Sequence, residues 1–303
     1  MDSFSGDVGP EAGRGRDGAD VEDALARVEA ELGRDRPAVV DGERLALPIG
    51  AEIRDPEDPD VLLSRFPVCG TEHLISALEA SADAADSWAA TPWADRAHLL
   101  FEAAERVRRE RHYYAAWTLL EAGLPWEAAE AEVVAGIDAL EGVAREAVRR
   151  GTGAEGAPGG APAPLGPGVL LAPRERAFSL SVAVASAALA AGNPVVLVPA
   201  ARTATIGSLV FGLLEHVGAP RGTIHFLPGP AADLGRAALA RDDARFVACA
   251  STLDLGLPPS SGGTAVLELR DVGAQGRRAI LLGPAALHGS LRPRALLDAF
   301  LRP

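Results

Sequence analysis

The sequence contains no lysine, so all 29 of its basic residues are arginine. That absence excludes Schiff-base chemistry, pyridoxal-phosphate attachment and a Walker-type phosphate loop, each of which needs the flexible ammonium. Asparagine occurs once, at Asn193, and glutamine once, at Gln275. Cysteine occurs twice, at Cys69 and Cys249, which excludes four-cysteine zinc sites and a disulfide framework. The six histidines show no metal-ligand spacing, and no GxSxG elbow is present. No segment offers about twenty apolar residues free of charge, glycine and proline, as a membrane span requires. The apolar run Ser179 to Ala191 is too short to span and predicts a helix buried in a core. Acidic residues outnumber basic ones, 42 to 29, for a net charge of −13. With no basic patch to offset that, a nucleic-acid partner is not expected.

What is present suits a globular protein of one large or two small domains: 303 residues, 48% apolar and 23% charged. Residues 1–22 begin polar and glycine-rich, lack an apolar signal core and read as a disordered tail. A soluble, cytoplasmic protein without membrane contact is the expectation. Residues 23–150 read as a hairpin and helices. Asp23 to Leu32 predicts a short helix, and Pro37 to Leu47 a hairpin turning at Asp41-Gly42. Thr71 is placed to cap a helix carrying Leu74, Ala77, Leu78 and Trp88. Thr91-Pro92 restarts the chain, with Leu99, Leu100, Ala103 and Val107 as one stripe. Gly123 closes the next helical stretch. Pro125 opens another that runs to Arg150 with Val133, Val134, Ile137, Leu140 and Val143 inward.

Residues 151–168 form a glycine-, proline- and alanine-rich linker or loop. Residues 169–270 then alternate. Strands are expected at 169–172, 194–198, 224–227 and 246–250, and helices at 178–191, 203–217 and 231–240. Short β-branched runs between amphipathic helices argue an α/β fold, a Rossmann-like parallel sheet behind a helical N-terminal region. Further strands are expected at 264–269 and 279–283 and a last helix at 291–301, most of them within a C-terminal remnant, 271–303. GxGxxG spacing occurs at Gly13-Gly15-Gly18 and at Gly151-Gly153-Gly156, but neither lies between a strand and a helix. Cys249 sits inside a strand pattern and reads as a buried, inert thiol.

The order of whole segments carries more. The stretch AAWTLLEAGLPWEAAEAEVVAGIDALEGVARE (115–146) resembles the aldehyde dehydrogenase superfamily, and within it the Δ1-pyrroline-5-carboxylate (glutamate γ-semialdehyde) branch. Residues 71–111 are similar to that family's paired front helices, and 166–230 to its nucleotide-binding core, in order and without large gaps. The resemblance runs from about Asp41 to Thr252. It implies a Rossmann-type NAD(P)-binding domain, a catalytic domain with a cysteine nucleophile and a β-arm used in oligomers. The implied chemistry is oxidation of an aldehyde through a thioester.

Against that pattern the chain departs at each chemical position. Glu175, in Pro173-Arg174-Glu175-Arg176-Ala177, stands where the family's asparagine holds an oxyanion. Loss of one such donor typically costs about 10²–10³ in rate. Val198-Pro199-Ala200-Ala201 replaces the segment whose lysine and glutamate grip the adenosine ribose. Cys249-Ala250-Ser251-Thr252 replaces a segment that packs the dinucleotide. The resemblance puts Gly229, Gly235, Ser251 and Thr252 at vestigial cofactor-binding positions; turn and helix packing is the alternative reading of the two glycines. Glu268, in LELRD, partly matches the general-base block. No cysteine follows Cys249, and most of the family's catalytic domain has no counterpart.

These departures point to an inactive relative acting as a binding or structural module, without a bound cofactor unless vestigial NAD(P) binding persists. Its partners would be a second copy or an intact aldehyde dehydrogenase relative. Two alternatives stay open: an NAD(P)-dependent aldehyde oxidoreductase, or altered acid-base chemistry built from Arg174, Glu175, Arg176 and Glu268.

Overall fold

In a computed structural model of the chain, residues 16–154, 162–250, 253, 255–256, 267–272, 277–282 and 291–302 are described. The order of elements begins with α1 (Arg16–Glu29), β1 (Arg34–Asp35), β2 (Val39–Val40), β3 (Glu43–Arg44), β4 (Ile49–Arg54) and β5 (Leu62–Pro67). Four helices follow: α2 (Thr71–Ala90), α3 (Trp93–Arg109), α4 (Arg111–Ala122) and α5 (Trp126–Ala154). The alternating half comprises β6 (Gly168–Leu171), α6 (Ala177–Ala190), β7 (Val195–Val198), α7 (Ala204–His216), β8 (Ile224–Phe226), α8 (Ala231–Leu239) and β9 (Phe246–Ala250). It ends in β10 (Leu267–Val272), β11 (Arg277–Leu282) and α9 (Pro293–Ala299).

An eight-stranded sheet in the order β10-β11-β9-β6-β7-β8-β2-β3 organises the molecule. Its middle five strands are parallel, with Leu171 level with Val198 and Val195 level with Ile224. The strands are short because each is a run of β-branched and apolar residues buried on both faces, as parallel strands must be. Alternate side chains go to opposite sides. Leu170, Val195, Leu197 and Phe246 join the core with α6 and α7, whereas Val169, Leu171, Val196, Val198 and Val247 join a second core with α2 and α8. Every residue of α6 is buried, because α5 covers the face that the sheet does not. From β6 the chain winds outward through β7 and β8, then returns across β6 to β9. The β6–β9 gap is therefore the topological switch point, the place where such sheets hold ligands.

A small sheet, β1-β5-β4, flanks the front. The β2–β3 hairpin turns at Asp41-Gly42 with φ of 50° and 71°, the left-handed pair that a two-residue turn needs, and joins the main sheet through Val39 opposite Phe226.

Several expectations are corrected. The helix expected from Asp23 begins at Arg16, so residues 16–22 are not tail. Val21, Ala24 and Val28 form one buried stripe that packs α1 into the main core. Residues 1–15 lie outside the described residues. Helix α2 starts one residue earlier than the cap reading: Gly70, not Thr71, is the N-cap. Helix α5 continues through 151–154 because Gly151 lets the helix pass against Trp93, whose Cβ would lie 2.9 Å from an added methyl. The expected linker thus loses its first four residues, and 155–161 are not described. Val134 is 51% exposed rather than inward. The strands expected at 264–269 and 279–283 are present as β10 and β11, displaced by up to three residues, and β11 pairs with β9 in parallel and carries β10 at the sheet edge. No described helix is long and apolar enough to cross a membrane.

Candidate functional site

The carboxyl ends of β6, β7 and β9 and the amino ends of α6, α7 and α8 meet at one edge of the sheet. Two carboxylates from the front helices reach this edge. Glu132, on α5, accepts hydrogen bonds from the Ser179 backbone N–H at 3.1 Å, the Ser179 hydroxyl at 3.1 Å and the Arg176 guanidinium at 2.9 Å. It caps the first turn of α6, whose own N-cap, Arg176, sits at φ 51° and makes no side-chain cap. Glu121, on α4, accepts the N–H groups of Thr205 at 2.6 Å and Ile206 at 2.7 Å and caps α7 in the same way. Both carboxylates are buried. Burial pushes the Glu121 carboxyl up to about 7, while the α7 amides pull the other way. Neither glutamate stood out in the sequence, since a cap supplied by a distant helix leaves no local spacing.

The four residues read as a possible acid-base group are placed apart. Arg174 and Glu175 are exposed, and Arg176 is turned toward Glu132. Glu268 lies in β10, level with Leu281 and paired at 2.7 Å with Arg270 of its own strand. Three strand spacings separate β10 from β6, about 14 Å at the usual distance between neighbours.

The glycines at vestigial cofactor positions make packing contacts. A Cβ on Gly229 would stand 2.5 Å from the carbonyl oxygen of Cys69, because the start of α2 lies against this turn: the Cys69 N–H donates to the Pro228 carbonyl at 2.8 Å. A Cβ on Gly235 would stand 2.5 Å from Leu171 Cδ1 and 2.7 Å from Leu255 Cδ2. Leu171, Val198, Leu227, Leu234 and Leu255 are all buried in one apolar cluster. The space beside Gly235, where a backbone free of side chain could admit a dinucleotide, is therefore occupied by leucine methyls. That side of Gly235 is closed to a dinucleotide. Ser251 and Thr252 lie outside the described residues.

Both cysteines are completely buried, and burial pushes each thiol up to about 12. Neither is a thiolate near neutral pH; Cys69 stands just ahead of α2, but burial and then the Glu72 charge hold its thiol protonated. Among the described residues no group of three or more His, Cys, Asp or Glu side chains is placed to hold a metal ion.

Comparison with known proteins agrees with this architecture. The sequence pattern of the Aldehyde dehydrogenase family matches residues 50–255. A 1-pyrroline-5-carboxylate dehydrogenase of Oceanobacillus iheyensis is 33% identical over 234 residues, covering 75% of this chain and 45% of the relative. One from Geobacillus thermodenitrificans is 32% identical over 240 residues, covering 77% and 47%. The chain spans about half the length of the curated relatives it matches. Among solved structures, a 1-pyrroline-5-carboxylate dehydrogenase from Thermus with bound NAD superposes with a TM-score of 0.73 at 27% identity, over 82% of this chain and 50% of that one. A mutant of the Thermus thermophilus enzyme gives 0.73 at 28% identity, with the same coverage. A match to more than half of the sequence, together with this fold, makes the chain a member of the aldehyde dehydrogenase family.

Proposed function

We propose that this chain is a non-catalytic member of the family, a binding or structural module built on the half of a 1-pyrroline-5-carboxylate dehydrogenase fold that surrounds the nucleotide-type sheet. The observation that carries this reading is the filling of the crevice beside Gly235 by Leu171 and Leu255. Three others support it: the exposed carboxylate Glu175 at the oxyanion position, the two inert thiols, and Val198-Pro199-Ala200-Ala201 in place of polar ribose contacts. Its partners are a second copy of the chain or an intact relative.

The test is calorimetric titration of the purified chain with NAD⁺ and NADP⁺, alongside an assay of dinucleotide reduction with glutamate γ-semialdehyde. No binding heat and no reduction are expected. Dinucleotide reduced in step with aldehyde consumed overturns the proposal. Sedimentation of the chain alone and mixed with an intact 1-pyrroline-5-carboxylate dehydrogenase tests the partners. A monomer that ignores the relative refutes that part.

A further inference from the structure

The joint between α4 and α7 holds a buried acid that caps a helix and that the proposed function does not use. Glu121 is 4% exposed and accepts from two backbone amides, the second and third of α7. Thr203 occupies the N-cap position, where a hydroxyl would ordinarily cap the helix, yet it makes no side-chain cap. Its hydroxyl is buried without a hydrogen-bond partner among the described residues, while the Thr205 hydroxyl bears on Glu121 itself and favours its ionised form. A carboxylate has thus displaced the local cap and left the Thr203 hydroxyl beside the same helix end unused. Buried polar groups of that kind are rare unless something engages them.

The charged and titratable groups around the joint are few. Arg36 lies over the Trp117 ring at 4.9 Å, donates to the Ser64 hydroxyl at 3.0 Å and pairs with Glu31 at 3.3 Å. Tyr113, two turns before Glu121 on α4, donates to Glu31 at 2.9 Å. Arg36 attracts the Glu121 charge through space, but its own bonds go to Ser64, Glu31 and, at 3.5 Å, the Ser208 hydroxyl of α7. From α7 the joint receives only amides and hydroxyls.

We propose that Glu121 is a proton-operated latch between the front helices and the second crossover helix of the sheet. Ionised, it caps α7 through both oxygens. Protonated by solvent, it keeps one oxygen on an α7 amide and turns its new O–H to a threonine hydroxyl, so each state has partners. The buried charge makes the ionised state the costlier one, in keeping with a carboxyl raised from 4.5 to about 7. The unfolded chain loses this proton near 4.5 and the folded chain near 7. Stability from the protonated latch is therefore complete below the lower value, declines between the two and is gone above the upper. The gap corresponds to on the order of 300-fold in the folding equilibrium.

The experiment uses the full chain with ¹³C-labelled glutamate. The Glu121 side-chain carboxyl resonance is expected to titrate with a midpoint between about 6 and 8, and exchange of the Thr205 and Ile206 amides is expected to change across the same range. Urea unfolding at acidic and alkaline pH gives a second readout. The wild-type chain should lose stability as pH rises through the titration, and Glu121→Gln should flatten that dependence. A carboxyl midpoint near the ordinary glutamate value, or identical pH dependence in both proteins, overturns the proposal. The resonance is read in the wild-type chain, so a variant that fails to fold leaves the test intact.

Discussion

Gly235→Ala separates a packed crevice from an open one. The new methyl would lie 2.5 Å from Leu171 Cδ1 and 2.7 Å from Leu255 Cδ2, inside contact distance of two buried side chains at once. Forcing a methyl into a filled core costs about 1–3 kcal/mol. Alanine in place of a helix glycine returns about 1 kcal/mol. The net expectation is a loss of about 1 kcal/mol by the same ledger. Leu255→Ala alone leaves a cavity and costs about 2–5 kcal/mol. In that background Leu171 can move into the vacated space, so Gly235→Ala should change sign and stabilise by about 1 kcal/mol. The double-mutant cycle should show a coupling of about 2 kcal/mol, well above the additivity error for distant sites. Urea unfolding followed by tryptophan fluorescence gives all four corners, since the chain has four tryptophans. If Gly235→Ala is neutral or stabilising in the wild-type chain and additive with Leu255→Ala, the space is open and the argument against a dinucleotide there fails.

Three further outcomes follow from buried polar groups. Arg96 is 3% exposed and donates to the carbonyls of Ala190, Trp88, Ala89 and Thr91 at 2.7–3.0 Å, tying the α2–α3 elbow to the end of α6. Arg96→Lys cannot serve these carbonyls together and should cost about 2–4 kcal/mol in urea unfolding; a loss below about 1 kcal/mol would mean that the carbonyls find other donors. His225 accepts the Asp41 N–H on Nδ1 at 3.0 Å, and its Nε2 lies 3.1 Å from the Gly222 carbonyl, so the bonded tautomer is the neutral one protonated on Nε2. Burial lowers its pKa below 6.5, so its contribution is present above that value and lost as pH falls. Protection of the Asp41 amide, its exchange rate relative to the intrinsic rate at the same pH, should fall on acidification as the hairpin detaches; unchanged protection would show that this bond does not hold the turn. Cys69 and Cys249 should resist a thiol reagent at neutral pH in the native chain and both react in urea, with rapid native labelling of either as the contrary result.

The two halves of the chain were unequally legible. In the sheet, β9 falls at 246–250 as expected and the neighbouring elements agree within about a residue at most ends, because strands buried on both faces read as unbroken apolar runs between glycine, proline and polar turns. At the front, β4 and β5 were not anticipated. IGAEIRDPEDPDVLLSRFP mixes charge and proline with apolar residues, and β4 buries only Ile53. The register of that pair also shifts twice, which blurs alternation further. The start of α1 was missed because glycine and aspartate at its head look like tail composition, whereas the buried Val21 shows that packing decides. Asn193, an unremarkable single residue in the sequence, holds three segments together. Its Oδ1 accepts the Gly166 N–H at 2.7 Å and its amide donates to the carbonyls of Phe300 at 2.9 Å and Ala188 at 3.3 Å.

The same unevenness bears on how a chain can look so much like its family and differ from it at the strand ends. Glu121 and Glu132 both fall in residues 115–146, the stretch that most resembles 1-pyrroline-5-carboxylate dehydrogenase. Each is spent on closing the end of a crossover helix that belongs to the other half of the molecule. Likeness in this stretch therefore reports how front helices are fastened to a sheet, a requirement of folding that any member must meet whatever it catalyses. Arg174, Glu175 and Ala201, in the loops after β6 and β7, are exposed and carry no such duty, and there the resemblance breaks down. Similarity concentrated in the fastenings and lost at the strand ends is evidence for a fold, and function has to be argued from the ends. At those ends the described residues present leucine methyls, an exposed carboxylate and a thiol sealed in the core, a set suited to holding a shape rather than to attacking a carbonyl.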